Sequence, residues 1–264
     1  MIIIKTSEEI EIMREGGKIL SEVLQIVAKM AKKPGVFTED LNKKAEEEIL
    51  KRGAMPSFKD YIPEDGEDLK YPASLCVSVN DAIVHGIPDK KTKIQAGDVI
   101  GLDLGVEFKG LYSDAAITVI CEEKGLFGRK KVISKYLKLV ETAEKCLFEA
   151  IKVAKSGNTI GDIGWAIQIT AENEGFSVVR DLVGHGVGKF VHEAPEIPNF
   201  GIRGKGLKLK EGMTLAIEPM ICAGRLETKI LADGWTVVTK DGSYAAHFEH
   251  TIVITKNGGE ILTK

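Results

Sequence analysis

Ile94-Gln95-Ala96-Gly97-Asp98-Val99-Ile100-Gly101-Leu102-Asp103 and Leu209-Lys210-Glu211-Gly212-Met213-Thr214-Leu215-Ala216-Ile217-Glu218 are two versions of one pattern, offset by 115 positions. Each is a turn closed by Gly, then an apolar run that ends on an acid. Upstream, Gly35, Asp40 and Gly53 return as Gly157, Asp162 and Gly175, all offset by 122. One match of this kind is within chance; three ordered blocks imply an internal duplication. The duplicated unit joins helical and strand periods. Thr6-x-x-Glu9 reads as a capping box before a helix with Ile10, Met13, Gly17, Leu20, Leu24, Val27 and Ala31 on one face. Pro34-Gly35 ends it, and a second helix spans 39–52, closed by Gly53. Strand-like runs follow at 75–79, 98–105 and 115–121. The second half repeats the order, with helices over 136–155 and 160–174 separated by Ser156-Gly157. The expected architecture is α/β with a pseudo-two-fold axis, strands of both halves meeting at the axis and helices outside. Residues 122–131 form only a polar loop, so one domain over 1–264 is expected, with repeats of approximately 6–121 and 132–256.

Composition narrows the function. The 264 residues are 44% hydrophobic and 28% charged, which is globular. Lys plus Arg (36) against Asp plus Glu (39) leaves a net charge of −3, with no basic excess to grip phosphate backbones. The clusters Lys32-Lys33, Lys90-Lys91 and Arg129-Lys130-Lys131 read as solvated faces rather than binding patches. No apolar run is long enough for a membrane span, and Met1-Ile2-Ile3-Ile4 is cut off by Lys5 too early for a signal peptide. Cys76, Cys121, Cys146 and Cys222 show no C-x-x-C spacing, which fits a reducing cytoplasm and argues against a zinc ribbon or a disulfide scaffold.

The duplicated positions carry the chemistry. Strand alternation puts Gly101, Asp103 and Gly105 on one face and Ile100, Leu102 and Leu104 on the other. In the second half Glu218 shares its face with Ala216. Asp114 and Glu249 form a second pair, each just before an apolar strand. A single such acid reads most simply as a strand-end charge. Four in a duplicated arrangement converge, repel and are costly to desolvate unless cations join them, and two divalent ions cancel four charges. His185, flanked by Gly184 and Gly186, adds an imidazole; the set suits Mn²⁺, Fe²⁺, Co²⁺ or Zn²⁺. His250 is turned away by alternation. His247 shares the face of Glu249 but has no counterpart in the first half, so it stays outside the ligand set. His85 and His192 lie in Gly- and Pro-punctuated loops, where substrate contacts concentrate. Gly188-Lys189 is followed by Phe190 and lacks the Ser or Thr of a phosphate loop, and nothing around Cys76 lowers a thiol pKa.

At these residues the chain resembles the methionine aminopeptidases of the short type I form. The resemblance covers nearly the whole chain and rests on the segments 78–88 and 184–188, on Ile217-Glu218-Pro219-Met220 and Asp233-Gly234-Trp235-Thr236, and on Glu249-His250-Thr251. It implies the pita-bread fold, α/β (α+β), internally duplicated about a pseudo-two-fold axis, with a central antiparallel sheet and helices outside. It places the five metal ligands on Asp103, Asp114, His185, Glu218 and Glu249, with Asp114 and Glu249 bridging two divalent ions. His85 and His192 match the substrate-contacting histidines. The methionine pocket maps onto Tyr71, Cys76 and Trp235, with Phe58 and Tyr61 beside an apparent insertion at 62–70 that stands to reshape the rim. Val191 takes a place where some members carry an aromatic. Glu218 and Glu249 are only 31 positions apart, too close for the insertion of type II enzymes, and no N-terminal Cys/His extension is seen.

The resemblance implies a dimetal aminopeptidase that removes the initiator methionine from nascent proteins with a small second residue. Glu218 would shuttle the proton, and His192 would stabilise the oxyanion. It further implies a cytoplasmic monomer with nascent N-termini as partners, room for a transient ribosome contact, and neither membrane nor specific nucleic acid. The rivals are an X-Pro aminopeptidase or dipeptidase on the same fold, a non-catalytic protein- or RNA-binding member, and a dimetal phosphatase, which is weakened by the lack of cations beside the ligand motifs.

Overall fold

The computed structural model describes residues 2–63, 69–124, 130–131 and 136–264. The first half runs α1 (Ser7–Ala31), α2 (Thr38–Lys51), β1 (Met55–Pro56), β2 (Cys76–Val79), β3 (Ala82–Val84), β4 (Val99–Phe108) and β5 (Leu111–Ile120). A small ribbon, β6 (Glu123–Lys124) with β7 (Lys130–Lys131), precedes α3 (Leu137–Val153) and α4 (Ile160–Asn173). Then follow β8 (Ser177–Val178), β9 (Val183–Gly186), β10 (Glu193–Pro198), β11 (Thr214–Ile217) and β12 (Met220–Cys222). The chain closes with β13 (Thr228–Ile230), β14 (Val237–Thr239), β15 (Ala245–His247), β16 (His250–Ile254) and β17 (Gly259–Ile261). Within its described part, the 62–70 stretch is open chain; residues 64–68 of it and Arg129 of the basic cluster lie outside the described residues.

The α1 capping box forms: Glu9 N–H donates to Thr6 Oγ1 (3.2 Å) and Thr6 N–H to the Glu9 carboxylate (2.9 Å). The apolar face of α1 packs on the back of β4, with Leu20, Leu24 and Val27 in one core with Ile100, Leu102 and Leu104. The second half builds its own core from α3, α4 and β11, around Leu147, Ile163, Ile167, Leu215 and Ile217. The turns repeat as well. Gly35 N–H donates to Ile94 O (2.8 Å) and Gly157 N–H to Leu209 O (3.0 Å); Ala54 N–H donates to Ile49 O (3.3 Å) and Phe176 N–H to Ala171 O (3.1 Å).

Sheet order places the acids. Strand β4 lies between β2 and β5 in one sheet, and β11 lies between β9 and β16 in another, all antiparallel. Strand β5 begins earlier than its sequence pattern indicates, so Asp114 sits inside a strand rather than before one. The cause is the two-residue turn Lys109-Gly110, with φ of 52° and 79°, which matches strand twist and lets pairing continue to Phe108 and Leu111. The halves meet where β5 lies along residues 247–251. There Glu249 N–H donates to Ala116 O (2.8 Å), Asp114 N–H to Thr251 Oγ1 (2.8 Å) and Thr118 Oγ1 to His247 O (2.6 Å).

Candidate metal centre and pocket

At that seam Asp114 and Glu249 stand side by side, and ligand atoms of Asp114, His185 and Glu249 all lie within 4.8 Å of one another. Asp103 joins them because Gly105 pairs with Asp114 and Asp103 with Ala116, which puts both aspartates on one face of adjacent strands, two register steps apart. Glu218 follows β11 and lies 3.5 Å from His185 Nε2. His185 itself is in a strand, not a tight turn. Its flanking glycines are needed there, since a Cβ on Gly184 would sit 2.5 Å from Ala216 O and one on Gly186 2.4 Å from Ala194 O. His185 Nδ1 is 2.9 Å from Gly186 O, which holds that nitrogen as the donor and leaves Nε2 free as a ligand.

The carboxylates are in an environment that does not tolerate their charge unaided. Burial pushes Asp103 up to about 7. Burial first, then the neighbouring acids, raise Asp114 and Glu249 far above the carboxylate range, and burial and Asp103 do the same to Glu218. Asp103 Oδ1, Asp114 Oδ1 and Glu249 Oε1 are buried with no hydrogen-bond partner among the described residues. Native proteins rarely leave several such oxygens orphaned together, and a bound cation satisfies them. Burial also lowers His185 to about 3, keeping it neutral as a metal ligand must be. The donor set therefore fits divalent metal.

A cavity of about 520 Å³ opens from these ligands and is walled by Phe58, Tyr71, Cys76 and Trp235. Phe58 reaches it because Gly105 has no side chain: a Cβ there would come within 2.6 Å of the Phe58 ring. Tyr71 donates to Gly86 O (3.0 Å) and meets Trp235 edge-on at 5.2 Å. Burial and the nearby Asp103 raise the Cys76 thiol well above its usual value, so it is a wall and not a nucleophile. Val191 belongs to the same apolar cluster. A second cavity, about 820 Å³, leads outward past His85, Tyr61, His192 and Phe190.

His85 and His192 both face the ligands' cavity. His85 has φ of 57°, a left-handed conformation uncommon for a side-chain-bearing residue, and burial lowers it to about 4. His192 is the ring most open to the cleft and packs edge-on against His185 at 4.4 Å. His250 is turned away, with Nδ1 2.9 Å from Thr263 Oγ1. The residue that sequence reasoning set aside is His247. It is buried, its Nε2 has no hydrogen-bond partner among the described residues, and it lies 3.7 Å from Glu218 Oε2. The available signal was its spacing, two residues before Glu249 on the same face.

A family model described as metallopeptidase family M24 matches residues 11–256. The chain is 46% identical over 263 residues to the methionine aminopeptidase of Clostridium perfringens, covering 100% of this chain and 99% of that one. It is similar to a crystal structure of methionine aminopeptidase from Thermotoga maritima, with a TM-score of 0.91 at 44% identity and full coverage of both chains. An Xaa-Pro dipeptidase from Bacillus anthracis shares the fold, with a TM-score of 0.74 at 22% identity, over 99% of this chain and 62% of that one.

Proposed function

The chain belongs to metallopeptidase family M24, and from its full-length identity to methionine aminopeptidases we propose that it is one, removing the initiator methionine from polypeptides with a small second residue. The observation that carries this is the shared cavity: orphaned carboxylate oxygens at one end and the apolar walls Phe58, Tyr71, Cys76 and Trp235 at the other. Such a cavity takes an apolar side chain and brings its backbone to the acids.

Asp103, Asp114, His185, Glu218 and Glu249 would hold two divalent ions of the Mn, Fe, Co or Zn class, with Asp114 and Glu249 side by side at the seam. Bound there, such ions supply Lewis acidity and make a water nucleophilic near neutral pH. Glu218, beside both His185 and His247, accepts the proton of the attacking water and passes it to the leaving amine. His192 donates to the carbonyl oxygen as it gains charge, and His85 lies beside the scissile amide. Trp235, edge-on to both Tyr71 and His85, closes the methionine pocket. The second residue meets Tyr61, His85 and His192, which line both cavities, and crowding there limits its size. No helix among the described residues is long and apolar enough to cross a membrane; the enzyme works in the cytoplasm as a single-domain monomer on nascent N-termini.

The test is peptide cleavage read by mass spectrometry, using chelator-stripped protein with Mn²⁺ or Co²⁺ restored. Metal-dependent loss of Met from Met-Ala-Ser but not from Met-Lys-Ser is the expected result. Release of Ala from Ala-Pro-Ser instead would overturn the substrate assignment while keeping the metal site.

A further inference from the structure

We propose that Tyr61 is the positioning residue for His192: its hydroxyl donates to Nδ1 and so fixes the imidazole with its proton on Nε2, facing the substrate carbonyl. The inference deepens the function proposed above and rests on it for the role of His192. Tyr61 Oη and His192 Nδ1 are 2.6 Å apart, a separation typical of O–H donors and shorter than the usual N–H···O distance, which favours the phenol as the donor. With Nδ1 accepting, a neutral ring carries its proton on Nε2. The ring also contacts two others, Tyr61 at a tilt with centroids 5.0 Å apart and His185 edge-on at 4.4 Å.

The backbone under His192 is secured separately. The carboxylate of Glu193 accepts the N–H groups of Lys189 (2.5 Å) and Phe190 (3.2 Å) and meets the buried Lys5 ammonium (2.5 Å). Ring rotation is therefore the freedom left to His192, and the Tyr61 hydroxyl removes it. Tyr61 is placed for this despite the adjoining 62–70 stretch. Asp60 N–H donates to Tyr71 O (2.9 Å) and Tyr71 N–H to Tyr61 O (2.9 Å), so the two ends of that stretch are joined beneath the pocket.

The experiment is long-range ¹H–¹⁵N spectroscopy of the full chain loaded with diamagnetic Zn²⁺, for wild type and Tyr61→Phe, with His192 assigned by its absence in His192→Ala. Wild type is expected to show the His192 proton on Nε2, and its Nδ1 resonance is expected to move in Tyr61→Phe, which keeps the ring and loses only the hydroxyl. Tyr61→Phe should lower kcat on Met-Ala-Ser about tenfold with KM little changed, and should cost nothing further in the His192→Ala background. A proton on Nδ1 in wild type, an unmoved Nδ1 resonance in Tyr61→Phe, or an equal loss in the His192→Ala background would each overturn the proposal. The spectra need no turnover, so a wild-type protein inactive on Met-Ala-Ser breaks the functional reading and not this hydrogen bond.

Discussion

In the first half β2 sets Ser78 opposite Gly101 of β4, and in the second half β9 sets His185 opposite Ala216 of β11. Positions 101 and 216 are 115 apart, the same offset that relates Asp103 to Glu218, so Ser78 and His185 occupy matching places in the two halves. The Ser78 hydroxyl is used to accept the Gly86 N–H at 3.2 Å, holding the loop that carries His85. The His185 ring instead turns into the acids. The backbone of the two halves is alike down to single turn hydrogen bonds, but the first half gives the ligand set only carboxylates and sets His85 on a braced loop, while the second adds the ligand His185 and the cleft histidine His192. The two halves share the scaffold, and their ligand sets differ because one matching position carries Ser78 and the other His185.

The largest test of this comparison strikes the seam. Asp114→Asn in one half and Glu249→Gln in the other are expected to cost alike, about 10³-fold in kcat/KM, as removal of several kcal/mol of metal assistance implies. The same variants should melt above wild type once all are stripped of metal, because each relieves a crowded buried acid cluster; differential scanning fluorimetry with and without chelator reads both signs. Unequal activity losses would show that the halves do not share the metal load.

Next in size is the Ser78/His185 pair. His185→Ser makes the second half like the first and is expected to weaken metal binding by at least about 10²-fold, the upper effect of losing a mere outer partner of a ligand. Adding Ser78→His should not restore it, since the Gly86 N–H then loses its acceptor. Competition against a fluorescent chelator measures both.

The acids also set a pH dependence. Asp103 is pushed up to about 7 by burial, whereas in the unfolded chain it titrates in the ordinary carboxylate range. Between those values the folded, metal-free protein holds a proton that the unfolded chain has released, so its stability should fall as pH rises from about 4 to 7. Bound Zn²⁺ should reverse that slope, because its ligands must be deprotonated. Urea midpoints across this range check the sign, and Asp103→Asn should flatten the metal-free slope.

The smallest effect concerns scaffold alone. Thr159 caps α4 with its side chain, while Phe37, the equivalent residue at an offset of 122, makes no side-chain cap on α2. Thr159→Ala is expected to cost about 1 kcal/mol by chemical denaturation, with catalysis unchanged.

Much of this was legible along the chain. Strand alternation predicts which face Asp103 shares with Gly105, and the repeat offsets pair it with Glu218, because both are properties of residues close in sequence. The start of β5 was missed because Glu107, Lys109 and Ser113 make 106–114 look like a polar loop; that both strands run on to the Lys109-Gly110 turn appears only when they pair. His247 was set aside because the duplication offers it no counterpart, although its spacing from Glu249 put it on the right face.

The sequence by itself determined the duplicated helix–strand order, the four acids and their faces, since strand and helix periods are local and need no knowledge of what packs where. Only the tertiary structure decided that β5 lies along residues 247–251, that Tyr61 reaches a histidine 131 residues away, and that His247 stands behind Glu218. These contacts depend on how two separately patterned cores dock, and docking is set by the joint packing of many side chains rather than by any spacing within one strand.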